Sequence, residues 1–170
     1  NQLRATNTDW NDILFRNALT QEYNMSIAGG GDKSDYYTSV GYNDEQGNVK
    51  GVGNTRYNIT LKTNYQVNKL LKVGASIYAN ERKQTTYLTD SNGFTNPVYY
   101  SRLANPYFTP YDENGNYNYD TNVQGKEDSS LNFNIFEERA NSNTKRRDRS
   151  MMAILNAELR LTDYLKITSQ

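Results

Sequence analysis

Residues 55–67 alternate without a break. Tyr57, Ile59, Leu61, Thr63, Tyr65 and Val67 fall on one side of an extended chain, and Arg56, Asn58, Thr60, Lys62, Asn64 and Gln66 on the other. The period is 2 and not the 3.6 of a helix. The pattern returns at 71–83, where Leu71, Val73, Ala75, Ile77 and Ala79 oppose Lys72, Gly74, Ser76, Tyr78 and Asn80. It returns again at 150–162, where Met151, Ala153, Leu155, Ala157, Leu159 and Leu161 oppose Asn156, Glu158 and Arg160. Each run is about 13 residues, against roughly 5–6 for a strand in a globular protein. About 9–11 tilted residues cross a bilayer as a strand. Tyr57 and Tyr65 are about 27 Å apart along the chain, or about 20 Å along the normal once tilted, close to the ~25 Å apolar band between aromatic girdles.

Shorter alternating runs at 21–28 and 35–44 carry Tyr23, Met25 and Ile27, then Tyr36, Thr38, Val40 and Tyr42, on their apolar sides. Together with Tyr57 and Tyr65 these tyrosines read as girdle residues. Residues 6–17 read as a short helix, capped by Thr8 or Asp9, with Trp10, Ile13 and Leu14 on one face. The stretch 84–149 holds all three prolines and little regular pattern. The segments 67–73 and 161–167 match in residue type at most positions, so one turn chemistry serves two hairpins. Short turns alternate with one long loop, the asymmetry of outer-membrane barrels, whose short ends are periplasmic and long ends extracellular.

The fold class expected is all-β: an antiparallel sheet forming the first five or six strands of a large outer-membrane barrel, with a short N-terminal helix and one long extracellular loop. The divisions are 1–20, helix and linker; 21–83, four strands; 84–149, the long loop; 150–170, a strand, a periplasmic turn and the beginning of the next strand. An opening without Met and a close inside an alternating run suggest a piece of a longer chain.

Composition fits a wall better than a globule. Fifteen tyrosines and 24 asparagines accompany only 35% hydrophobic residues. A sheet with lipid on one face and water on the other needs little dry core. The chain has no Cys and no His, which excludes a disulfide framework, a thiolate nucleophile and imidazole acid–base catalysis within these residues. Nineteen cations balance 19 anions, which argues against a nucleic-acid binder.

Taken in order, the sequences Thr8-Asp-Trp-Asn-Asp-Ile-Leu-Phe-Arg16, Gln21-Glu-Tyr-Asn-Met-Ser-Ile-Ala-Gly-Gly30 and Tyr36 through Gly47 resemble one family. Val49-Lys-Gly51, Arg56-Tyr57 and Leu70-Leu-Lys-Val-Gly74 extend the match, as do Asn105-Pro106 and Tyr111 through Tyr117. The family is that of SusC/RagA-like TonB-dependent outer-membrane transporters. The resemblance implies import of oligosaccharides or peptides through a barrel of about 22 strands occluded by a plug. It also implies a SusD-like surface lipoprotein over the barrel, energy from the TonB system, and a place in the bacterial outer membrane. Plug, TonB box and most of the barrel are absent from these residues, so a segment of this kind transports nothing alone. The competing reading is a soluble β-sandwich, as in an adhesin or carbohydrate-binding module.

Other constellations read as structure. Gly29-Gly-Gly31 lacks both phosphate-loop spacings and reads as a turn. Asp112-x-Asn114-x-Asn116 has its glycine at the wrong position for a calcium loop, so no metal or cofactor is assigned. Lys145 through Arg149 reads as a solvated loop end or a contact with anionic lipid headgroups. No carboxylate pair or nucleophile motif marks an enzyme. Two sets of residues carry the functional expectation. Tyr99, Tyr107, Tyr111 and Tyr117 could stack on a sugar or peptide. Arg56, Asn58, Lys62, Asn64, Asn156 and Arg160 are expected to line the lumen or touch the plug.

Overall fold

The computed structural model describes residues 6–87, 95–119, 133–162 and 164–170. Parts of the long loop, residues 88–94 and 120–132, and Asp163 in the second repeated turn lie outside that set. The chain divides into two compact units.

One unit is a sheet. Its strands are β1 (Thr20–Gly30), β2 (Ser34–Gln46), β3 (Gly53–Gln66), β4 (Leu71–Tyr87), β5 (Asn143–Arg160) and β6 (Lys166–Ser169). They run in the order β1-β2-β3-β4-β5-β6 with no crossover. The β1–β2 register is antiparallel and pairs Tyr23 with Tyr42, Met25 with Val40 and Ile27 with Thr38. The two apolar series therefore share one face. β5 and β6 pair Leu159 with Ile167 and Ala157 with Ser169 in the same sense.

The apolar face carries no protein cover among the described residues. Met25 and Met151 are each 72% exposed and Leu155 is 74% exposed, and Ile27, Ile59, Leu61 and Tyr65 are exposed beside them. A soluble sandwich would have a second sheet against this face; here one sheet presents both faces. An uncovered apolar surface of this extent marks a contact with lipid or a partner. Tyr23, Tyr42 and Tyr57 form a row across β1–β3, with ring centroids 6.3 and 5.2 Å apart. Tyr36 and Tyr65 lie toward the opposite ends of their strands.

The two turns of like sequence are built alike. Val67 and Asn68 donate backbone N–H bonds to the carbonyl of Leu71, and Leu161 and Thr162 do so to that of Leu165. Asn68 Oδ1 accepts from Leu70 N and Leu71 N, and Thr162 Oγ1 from Tyr164 N and Leu165 N. An asparagine and a threonine thus close the same geometry through a side-chain oxygen two and three residues ahead.

β4 and β5 are longer than their alternating runs suggest, reaching Tyr87 and starting at Asn143. Charged residues at 81–83 and 145–149 obscure the alternation, yet opposite charges pair across the strands.

The other unit comprises residues 1–19, 46–53 and 85–145. It holds helices α1 (Trp10–Leu14), α2 (Pro97–Leu103) and α3 (Ile135–Asn141). Its core is Trp10, Leu14, Tyr100 and Ile135, flanked by Phe15, Ala104, Phe108, Phe133 and Phe136. The Trp10 ring meets Tyr100 edge-on at 5.1 Å and stacks on Phe108 at 6.0 Å, while its Nε1 donates to the Asn105 carbonyl at 3.0 Å. α1 is shorter than the 6–17 expected from sequence. Asp9 caps its start by accepting from Asn11 N and Asp12 N. Past Leu14 the backbone is drawn into pairing with the 46–53 connection: Phe15 bridges Val49, and Arg16 N donates to Asn48 O at 2.8 Å. α2 and α3, each seven residues, interrupt a stretch that showed little pattern. Two turns are too short to display a helical period, but the caps are local and strong. Asn96 with Pro97 begins α2 and Asn134 begins α3. Asn134 is 2% exposed and its Nδ2 also donates to the carbonyls of Pro110 and Asn118, both at 2.6 Å. Asn68, Asn96, Asn105 and Asn134 all serve such caps and turns.

Candidate functional site

Two groups of residues carry the expectation, one in each unit. On the sheet, Arg56, Asn58, Lys62, Asn64, Asn156 and Arg160 share the parity opposite the apolar series, on β3 and β5. Their neighbours are polar. Asn64 Nδ2 donates to Asp35 Oδ1 at 2.7 Å, and Lys62 Nζ lies 5.5 Å from the Tyr78 ring. Near the β5–β6 turn, Glu158 pairs with Arg160 at 3.5 Å and Lys166 at 2.8 Å. A Cβ on Gly74 would stand 2.5 Å from the Oδ1 atoms of both Asn64 and Asn156. The missing side chain is what lets two amides from β3 and β5 converge above β4. A similar notch opens at Gly41, where a Cβ would meet Asn24 Oδ1 at 2.7 Å and Asn58 Nδ2 at 3.6 Å. The face is a ladder of amides and charges suited to water, a polar polymer or another polar protein surface.

In the helical unit, Tyr111 and Tyr117 are brought together. They form an isolated antiparallel bridge around the 112–116 turn, with rings 5.6 Å apart and Phe136 5.5 Å from Tyr111. Partial burial raises the Tyr111 phenol above its ordinary pKa. Tyr99 sits on α2 and Tyr107 follows Asn105, whose side chain accepts from Tyr107 N; both rings are exposed. Of the four tyrosines, Tyr111 and Tyr117 are thus brought into ring contact, tilted by 31°.

Asp112 organises the turn that closes the pair. Its Oδ1 accepts from Asn114 N and Asn116 N at 2.9 and 2.8 Å, and its Oδ2 from Asn116 Nδ2 at 3.0 Å. Gly115, at φ +82°, supplies the left-handed step. The bonds from Asn116, first its side chain and then its backbone, lower the Asp112 pKa. A lowered pKa means that this carboxylate supports the turn above the ordinary value near 3.9. That support is lost as pH falls through the lower folded value. A carboxyl-carbon titration of Asp112 in the full-length protein should therefore show a midpoint below the ordinary one. A midpoint at or above it would mean that the turn does not hold the carboxylate this way.

Sequence reasoning singled out the basic run 145–149 but not the carboxylate that gathers it. Glu81 receives Arg147 Nη2 at 2.7 Å, Arg149 Nε at 2.6 Å and Lys83 Nζ at 3.2 Å. The signal was present in parity: Glu81 and Lys83 continue the odd series of Ala75, Ile77 and Ala79, and Arg147 and Arg149 continue that of Met151 and Ala153. They stand on the apolar face.

No family model matches the chain. It is 44% identical over 48 residues to the TonB-dependent receptor SusC of Bacteroides thetaiotaomicron, covering 28% of this chain and 5% of that one. It is 30% identical over 113 residues to a TonB-dependent receptor of Formosa agariphila, covering 66% of this chain and 11% of the relative. The chain thus spans only a small part of the length of the curated relatives it matches. Among solved structures, that of the RagAB peptide importer in its closed-closed state superposes with a TM-score of 0.68 at 21% identity, over 95% of this chain and 18% of that one. These relatives are receptors and transporters, not enzymes. In sequence the chain is similar to stretches of TonB-dependent receptors, SusC among them, and in fold it matches part of the RagAB importer.

Proposed function

We propose that these residues are a stretch of outer-membrane wall in a TonB-dependent importer of large nutrients, oligosaccharides or peptides. The observation that carries this reading is the uncovered apolar face, bearing the Tyr23–Tyr42–Tyr57 row toward one end and Tyr36 and Tyr65 toward the other. The apolar face meets lipid. The opposite face, with Arg56, Asn58, Lys62, Asn64, Asn156 and Arg160, lines the lumen or meets a plug carried by the same full-length chain. Residues 1–20 lead into the wall; 21–83 and 150–170, extended by β4 to Tyr87 and by β5 from Asn143, are wall, and the chain between β4 and β5 is an extracellular loop. Within that loop the Tyr111–Tyr117 pair, Tyr99 and Tyr107 contact substrate or a SusD-like lipoprotein. The peptide named for the RagAB relative and the SusC relationship favour such substrates and such a partner.

Uptake tests the reading. Cells expressing the full-length protein should accumulate fluorescent oligosaccharides or peptides, and lose this on deletion of the gene or of TonB. Affinity purification from outer membranes should bring down a surface lipoprotein. Recovery of the full-length protein in the soluble fraction, or uptake indifferent to TonB, would contradict it.

A further inference from the structure

Charges on a lipid-facing strand face are costly at the bilayer midplane and tolerated near the interfaces. The cluster around Glu81 sits where an interface is marked by other means. Lys83 Nζ lies 5.2 Å from the ring of Tyr57, the last member of the Tyr23–Tyr42–Tyr57 row. Three cations surround one carboxylate, an excess of two positive charges. The Glu81 side chain is 22% exposed, whereas those of Lys83, Arg147 and Arg149 are 47%, 51% and 62% exposed. The carboxylate is thus the shielded centre, and the cations around it face outward. Each arginine engages Glu81 through one N–H group, and the rest of its planar fork matches a phosphate. Directly alongside runs an open apolar groove lined by Tyr57, Ile59, Ala79 and Met151. Charge above and hydrocarbon below is the polarity of a lipid.

We propose that Lys83, Arg147 and Arg149, preorganised by Glu81, bind the phosphate-bearing headgroup of a membrane lipid whose acyl chain lies in the Tyr57–Ile59–Ala79–Met151 groove. The proposal rests on the membrane reading above. Glu81 holds the two guanidinium groups in place, so little side-chain freedom is lost when the phosphate arrives. Arg146 pairs instead with Asp148 at 2.9 Å. Both have the opposite parity, so they take no part.

The test uses the full-length protein in detergent, titrated with diphosphorylated lipid A and read by native mass spectrometry. A basic group next to an anionic headgroup gives about a fivefold gain in binding. The double variant R147Q/R149Q should therefore bind about 20- to 30-fold more weakly. E81Q removes a competing anion as well as the preorganisation, two effects that oppose each other, so it should lose far less affinity than R147Q/R149Q. Weaker binding in both variants alike would mean that the cluster only staples β4 to β5, which overturns the proposal. So would equal binding of the same lipid stripped of its phosphates. Competition by inorganic phosphate at concentrations matching the lipid would show a free-anion site and overturn the lipid assignment. If R147Q/R149Q is silent while Leu61→Arg still impairs assembly, the headgroup site fails and the membrane reading stands. If both are silent, the membrane reading fails.

Discussion

Leu61→Arg should destabilise the assembled full-length protein by about 2–4 kcal/mol. Leu61 lies midway between Tyr57 and Tyr65 on β3, on the exposed apolar face. If the two tyrosines stand at the two interfaces, residue 61 is near the midplane, where an arginine head has the longest way to reach water. The next residue gives the control. Lys62 has the opposite parity and lies over the Tyr78 ring, so Lys62→Gln should change stability by no more than about 0.5 kcal/mol. Unfolding in urea, with assembly followed by heat-dependent gel mobility, separates the two variants. Equal effects at 61 and 62 would remove the distinction between the faces.

Trp10→Ala should have an effect as large, in a different place. Trp10 is 4% exposed, contacts Tyr100 and Phe108 through its ring and holds the Asn105 carbonyl through Nε1. Removing a buried indole typically costs about 3–5 kcal/mol. The helical unit has only three other fully buried hydrophobic residues among those described, Leu14, Tyr100 and Ile135, so its core has little to replace it with. The expected result is rapid proteolysis within 95–119 and fast amide exchange in α2, while assembly of the sheet, read by heat-dependent mobility, is retained. Unchanged protection of α2 would show that the aromatic cluster does not hold this unit together.

How much of this was legible depended on the length of each pattern. Thirteen alternating residues on β3 define its face and its extent within about two residues, because no helix or soluble strand satisfies that run. The turns at 67–71 and 161–165 were legible as a repeat because the oxygens of Asn68 and Thr162 act locally. The far ends of β4 and β5 were not, since residues 84–87 show no alternation and Arg147 and Arg149 read as a solvated loop end or a contact with anionic headgroups until they are seen paired with Glu81 across strands. The small aromatic core was not legible either. It joins Trp10, Tyr100 and Ile135, which are distant in sequence and share no period. Among the candidate site residues, parity grouped the six polar ones on one face. Nothing local could tell that the Tyr111 and Tyr117 rings meet, because that depends on how the turn at Asp112 closes and where α3 brings Phe136.

The central claim is that the odd-numbered face of β3 meets lipid and the even-numbered face meets water. These 170 residues contain no cysteine, so single spin-labelled cysteines can be placed at each position from 57 to 65, on a cysteine-free full-length background in membranes. Collision rates with oxygen, which concentrates in lipid, and with a water-soluble nickel chelate should then alternate with period 2. Oxygen should dominate at 57, 59, 61, 63 and 65, with its maximum at 61, and the chelate at 58, 60, 62 and 64. Uniform accessibility along the strand, or alternation of the opposite phase, would contradict the account.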